Sequence, residues 1–205
     1  QGEVFLGRDL AQTKNYSEET AAVIDEEIKK IIDKAYNTAR EILSNNIDKL
    51  HIVAGILLEK EKIEVIMVRE KDEELGKSKV EDLKYRVSLL NEKKPSLAVS
   101  IHQNSYHEEN VFGAQVFYYQ TSTEGEKAAG IIQDALQKVN PDNTKKIKAN
   151  NTYYILKKTE VPTEIVECGL LRNYKEAQKL VTEDYQKSVA EAVAEGILSY
   201  IKENE

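Results

Sequence analysis

The run "SLAVSIH", residues 96–102, decides how the second half of the chain is read. It is nearly continuous in apolar residues, the pattern of a strand covered on both faces in an α/β sheet, and it stops at a histidine. A neutral imidazole at the end of a buried strand is a natural metal ligand. The chain has only 3 histidines, however, and a metal site needs several donors. His107 follows in the acidic loop "SYHEEN" (105–110), and His51 lies far upstream.

Working outward, "VFGAQVFYY" (111–119) reads as the next strand. Residues 124–139 read as a helix with Ile131, Ile132, Ala135 and Leu136 on its apolar stripe. "NPDN" (140–143) is a turn, "TYYIL" (152–156) and "EIVEC" (164–168) read as strands, and a long helical tail carries Ala177, Leu180, Val189, Val193, Ile197 and Ile201. Upstream, "IEVIMV" (63–68) is a short β-branched run. A charged loop follows it, then a helix from about Val80 to Glu92 with Leu83, Val87 and Leu90 inward. Strands alternating with helices predict an α/β domain: a mixed, mostly parallel sheet flanked by helices.

Residues 17–60 follow a different pattern. Ser17 is a natural N-cap with Glu18 and Glu19 in the first turn, where the helix dipole favours acids. One apolar stripe runs from Ile24 through Ile28, Ile31, Ile32, Ala35, Ala39 and Ile42 to Leu43; "SNN" (44–46) breaks it. A second stripe runs through Ile47, Leu50, Val53, Ala54, Leu57 and Leu58. Two amphipathic helices joined by a short polar break predict an N-terminal helical hairpin. The expected division is a helical segment over 1–62 and an α/β domain over 63–205.

Composition narrows the function classes. A chain of 205 residues can bury a full core without staples. The net charge of -7 argues against a nucleic-acid partner, which needs a basic stripe. No apolar run approaches the ~20 residues of a membrane span, and the opening "QGEVFLGRDLAQ" lacks the regions of a signal peptide. The single Cys168 excludes an internal disulfide.

Ligands of open α/β sheets bind outside the carboxyl ends of the strands. Two apolar runs here finish on an ionisable residue, "LAVSIH" at His102 and "TEIVECG" at Glu167. A buried carboxylate must be paired, protonated or functional. Gly169 lets the backbone turn or lets something approach closely. If the two strands are parallel neighbours, His102 and Glu167 open into one crevice, and a zinc ligand beside a carboxylate points to metal-assisted hydrolysis. Plainer readings stand beside this one. His102 can be a hydrogen-bonded strand-end histidine, and Glu167 an ion-pair partner of Arg172 or a lysine. His107 reads as solvated and Cys168 as a small core residue.

Several spaced segments carry a resemblance: "EVIMVRE", "DLKYRVSLLNEKKPSLAVSIHQNSYHEENVFGAQVFYY", "YYILKKTEVPTEIVECGLLRN" and "YQKSVAEAVAEGILSYI". Over about residues 63–205 the chain resembles the bacterial N-acetylmuramoyl-L-alanine amidases of the spore-cortex, germination type. The resemblance implies a zinc-dependent peptidoglycan hydrolase of the cell wall or spore cortex. It implies His102 of "SIHQN" as a zinc ligand and Glu167 of "VECGLLRN" as the catalytic acid/base. Leu170 replaces an aromatic of that motif, and Arg172 a serine.

The departure lies upstream. Such amidases open with a strand ending in "DPGHGG", whose histidine is a zinc ligand, and a following helix supplies a glutamate ligand. Neither segment is in this sequence. From "GRDLAQTKNYSEETA" to "LLEKEKIE" the chain instead resembles the C-terminal part of the peptidase domain of FtsH-type AAA+ zinc proteases. The "HExxH" helix of those proteases is absent too. His51, Glu41, Glu59 and Glu61 are the upstream residues with donor chemistry. The expectation is a chimera in which a helix hairpin replaces the first strand and helix of an amidase. A sheet without that first strand would expose "EVIMV" as an unpaired edge, open to oligomerisation. Three readings follow: a zinc amidase, an amidase-like scaffold with an incomplete site, and a protease fragment without its active site.

Overall fold

A computed structural model describes residues 26, 30, 53–55, 63–69 and 75–204. The chain divides into two units, Gln1–Asn45 and Asn46–Glu205. In the first, Glu26 and Lys30 are helical and joined by an exposed ion pair of 3.3 Å. The rest of the predicted hairpin lies outside the described residues, apart from the helical turn at 53–55.

The second unit runs α1 (Lys79–Lys93), β1 (Ala98–Asn104), β2 (Gln115–Tyr119), α2 (Thr123–Val139), β3 (Lys148–Asn150), α3 (Tyr154–Lys158), β4 (Thr163–Leu170), α4 (Tyr174–Leu180) and α5 (Glu183–Glu203). The strands form one sheet in the order β1-β4-β2-β3. β1 pairs with β4 and β2 with β3 in parallel, whereas β2 and β4 are antiparallel. This is the mixed, mostly parallel α/β sheet that the alternating pattern predicts.

Strand periodicity sorts the side chains into two layers. Val116, Tyr118, Val166 and Cys168 face the larger core, where Ala129, Ile132 and Leu136 of α2 meet Val189, Val193 and Ile197 of α5. Close contact there depends on Gly196, because a Cβ would sit 2.9 Å from the Ile132 backbone. Phe117 and Ile165 face the opposite side, packed with Val87 of α1 and Ile155 and Leu156 of α3. β4 is the only described strand whose residues are all buried.

Four local expectations are corrected. "IEVIMV" does not join the sheet: residues 63–67 have no regular secondary structure, and Ile63 and Val65 pack on the larger core, but the run has no ladder partner among the described residues. The described sheet therefore ends at β1 on that side. "SLAVSIH" is not covered on both faces: along β1, the edge strand, only Ala98 is buried, and His102 reaches solvent. "TYYIL" is not a strand. The Asn150 side chain accepts hydrogen bonds from the Thr152 and Tyr153 amides at 2.8 and 2.7 Å, and this turn leads into α3. The tail is two helices, separated where the Thr182 hydroxyl caps the Lys179 carbonyl at 2.7 Å and the Gln186 side chain the Leu180 carbonyl at 2.6 Å.

β4 also carries a carboxyl that its apolar setting does not satisfy. Glu164 is fully buried, and neither side-chain oxygen has a hydrogen-bond partner. It lies across from Val99 and Tyr118 and close to Gly125 in the first turn of α2. The nearby Tyr118 and Tyr200 hydroxyls donate elsewhere, to Glu126 and Glu124. Burial pushes the Glu164 carboxyl up to about 9, so the folded protein holds it protonated at neutral pH. A raised folded-state pKa stabilises the fold below the unfolded value near 4.5, and this is lost as pH rises towards about 9. Glu164→Gln is therefore expected to gain stability over the parent as pH rises from 5 to 8, by roughly 3 kcal/mol. Thermal unfolding of both proteins at the two pH values checks this; an unchanged difference would contradict it.

Candidate active site

The parallel register of β1 and β4 places His102 directly opposite Glu167. Residues paired across neighbouring strands project to the same face, here the face that Ile165 shares with α1 and α3. On the other side of Glu167 lies Gln115 of β2, whose side-chain amide donates to the Lys146 carbonyl at 2.8 Å. Both sequence-predicted site residues are thus neighbours near the carboxyl ends of parallel strands. The register shifts just beyond them, between His102 and Asn104, and the Leu171 amide closes onto the Asn104 carbonyl at 2.8 Å.

Glu167 is buried, and its Oε2 has no hydrogen-bond partner. It forms no ion pair with Arg172 or a lysine among the described residues. Burial lifts its carboxyl to about 7, so both protonation states are populated near neutrality. Its charge is felt by Tyr153, whose ring packs 5.6 Å from that of Phe117.

His102 keeps solvent access at the edge strand, yet enough atoms crowd the ring to lower its pKa. Arg86 and Lys79 lower it further. The imidazole is therefore held neutral, the form that binds metals. Its Nε2 lies 2.8 Å from the Ser100 hydroxyl, two residues back on the same face. A metal at Nδ1 would leave this contact intact, and one at Nε2 would replace it.

His102 and the orphaned Glu167 oxygen have the right donor chemistry, but no group of three or more His, Cys, Asp or Glu that could hold a metal occurs among the described residues. His51, Glu41, Glu59 and Glu61 lie outside them. His107 is exposed, stacked on Tyr106 and 3.5 Å from Glu108. Cys168 faces the opposite layer, where burial pushes its thiol up to about 12.

Sequence reading misses three contributors: Ser100, the cations Arg86 and Lys79, and Glu176. Glu176 is buried, and its Oε2 accepts from the Gly113 and Leu170 amides, both at 2.9 Å. It ties the loop after β1 to the end of β4. Gly113 has a φ of 98°, and a Cβ there would run into the Asn143 side chain. The one signal for Glu176 is its position two residues into a helix capped by Asn173, whose side chain accepts from the Glu176 amide at 3.0 Å.

Residues 46–199 match the N-acetylmuramoyl-L-alanine amidase family. The chain belongs to that family. Among curated relatives, the germination-specific N-acetylmuramoyl-L-alanine amidase of Bacillus subtilis is 37% identical over 68% of this chain and 62% of its own length. The CwlD amidase of Clostridioides difficile, solved in complex with the GerS lipoprotein, superimposes with a TM-score of 0.72 at 29% identity. That match covers 77% of this chain and 84% of the other. Residues 1–70 match peptidase family M41. The ATP-dependent zinc metalloprotease FtsH of Caldicellulosiruptor bescii is 70% identical over 31% of this chain, which spans 10% of that protease. Both resemblances read from the sequence are therefore correct.

Truncating the buried Glu176 acceptor strands two backbone amides at the rim of the site. Glu176→Ala is expected to cost about 3 kcal/mol in chemical denaturation, with faster amide exchange at Gly113 and Leu170. Glu176→Gln, which keeps an acceptor oxygen, should recover most of the loss. Equal stability of parent and alanine variant would remove this tie from the account.

Proposed function

We propose that the chain is a peptidoglycan hydrolase that cuts the amide between the lactyl group of muramic acid and L-alanine. Glu167 would serve as acid/base and His102 as a zinc ligand. The observation that carries the reading is the pairing of His102 with Glu167 on adjacent parallel strands within an amidase fold. The name of the Bacillus subtilis relative supports a cell-wall or spore-cortex substrate. Residues 1–62 are read as a protease-derived segment joined to an amidase-like domain over 63–205. No "HExxH" motif occurs within them.

Zinc, when bound, would polarise the scissile carbonyl and make a water nucleophilic. The rest falls to Glu167. The water oxygen bonds to the carbonyl carbon, and its proton passes to the carboxylate. Glu167 then returns a proton to the alanine nitrogen as the C–N bond breaks. A carboxyl near 7 suits both transfers, since it gives and takes a proton with little bias at neutral pH. The neutral His102 is ready to bind metal without first losing a proton.

A second reading, a scaffold that binds peptidoglycan fragments without cutting them, draws on the lack of a three-donor set among the described residues. Turnover separates the two. Release of L-alanine-headed stem peptides from muropeptides is expected, suppressed by a chelator and lowered at least about a hundredfold by Glu167→Gln. In the parent, kcat/KM should fall about tenfold per pH unit below about 7, as the base form is protonated. Binding without turnover in zinc-replete protein would favour the scaffold. Full activity of Glu167→Gln would exclude Glu167 from the chemistry.

A further inference from the structure

Glu167 has a different neighbour on each side along the sheet face that α1 and α3 share. On the β1 side stands His102. On the β2 side, Gln115 lies opposite Glu167 and Phe117 lies opposite Ile165. That register makes Phe117 the diagonal neighbour of Glu167 on this face, about 7–8 Å away. Phe117 is buried, and the Tyr153 ring stands against it at 5.6 Å, tilted by 58°. Tyr153 itself is 37% exposed, so this side of Glu167 offers an aromatic surface to whatever binds there.

Local bonds fix Tyr153 in place. Its amide donates to the Asn150 side chain at 2.7 Å, and its carbonyl accepts from the Lys157 amide at 3.0 Å as α3 begins. The tilted contact with Phe117 then sets the ring, in the geometry that aromatic pairs prefer. Burial raises the pKa of its phenol, and the charge of Glu167 raises it further, in keeping with the register. Gln115, which lies directly opposite Glu167, has its side-chain amide occupied by the Lys146 carbonyl.

We propose that Tyr153 is a specificity-determining residue for the first amino acid of the substrate's peptide, its ring packing against the L-alanine side chain. The inference rests on the amidase reading. In that reading the carbonyl is held on the His102 side and the nitrogen takes its proton from Glu167, so the substrate runs from β1 towards β2. The residue that carries this nitrogen spans about 3.5 Å of chain, less than the spacing of about 4.8 Å between strands. It therefore lies over the gap between β4 and β2, where Phe117 and Tyr153 stand. An alanine methyl there covers apolar ring surface, and a glycine leaves that surface to water.

The test compares two probes by calorimetry, N-acetylmuramoyl-L-alanyl-D-isoglutamine and its glycyl analogue. Both are added to the full chain carrying Glu167→Gln, so that binding is read without cutting. The alanyl probe should bind about fourfold tighter. Adding Tyr153→Ala should remove that preference while keeping the affinity for the glycyl probe, which also reports that the protein is folded. Tyr153→Phe, which keeps a ring, should retain the preference. A nuclear Overhauser contact from the alanyl methyl to a tyrosine ring, lost in Tyr153→Phe, should report the same packing without the alanine variant. Equal binding of the two probes, a preference that survives Tyr153→Ala, or an equal loss for both probes would overturn the role of Tyr153 alone. A methyl contact to a tyrosine ring that persists in Tyr153→Phe would overturn it as well. Binding of neither probe would overturn both this role and the peptidoglycan reading beneath it.

Discussion

The structure depends on one strand. β4 is buried along its whole length, pairs on both edges, and still carries two carboxyl groups. A central strand cannot hydrate such groups, so each must find a partner or take a proton. Neither carboxyl forms an ion pair among the described residues, and burial lifts both pKa values. The two then diverge by position. Glu164 faces the α2–α5 layer, sealed from solvent and neutral at ordinary pH. Glu167 faces the other layer, near the carboxyl end of the strand and beside the solvent-reaching His102, where a carboxyl near 7 can exchange protons with something bound.

Pairing with β1 gives Glu167 its neighbour. Because the two strands are parallel and in register up to His102, imidazole and carboxyl share a face without any loop having to hold them. Glu176 secures the surroundings by accepting the Gly113 and Leu170 amides. Burial of the ring lowers the His102 pKa, and the charges of Arg86 and Lys79 on α1 lower it further, so the imidazole is held neutral.

How much was legible in the sequence follows from what each signal measures. His102 and Glu167 stand out because each ends an apolar run, and strand ends are where open sheets bind ligands. Their adjacency was conditional on the β1–β4 pairing, which no local pattern states. Glu164, three residues from Glu167, carries no such signal, because a single acid in a strand ordinarily reads as solvent-facing. Only the central place of β4 makes it buried. "TYYIL" has strand composition, yet the Asn150 side chain turns the backbone into a helix, so local hydrogen bonding outweighs propensity. "IEVIMV" has strand composition as well, but a ladder needs a partner, and the described sheet ends at β1.

The central claim is that His102 and Glu167 form the working pair of a zinc hydrolase. Anomalous diffraction at the zinc edge from zinc-soaked crystals tests it most directly. The account predicts a single strong peak at the His102 imidazole, with the Glu167 carboxyl within reach of a water bound there. Zinc bound away from His102, or no ordered zinc in a zinc-replete crystal, would contradict it.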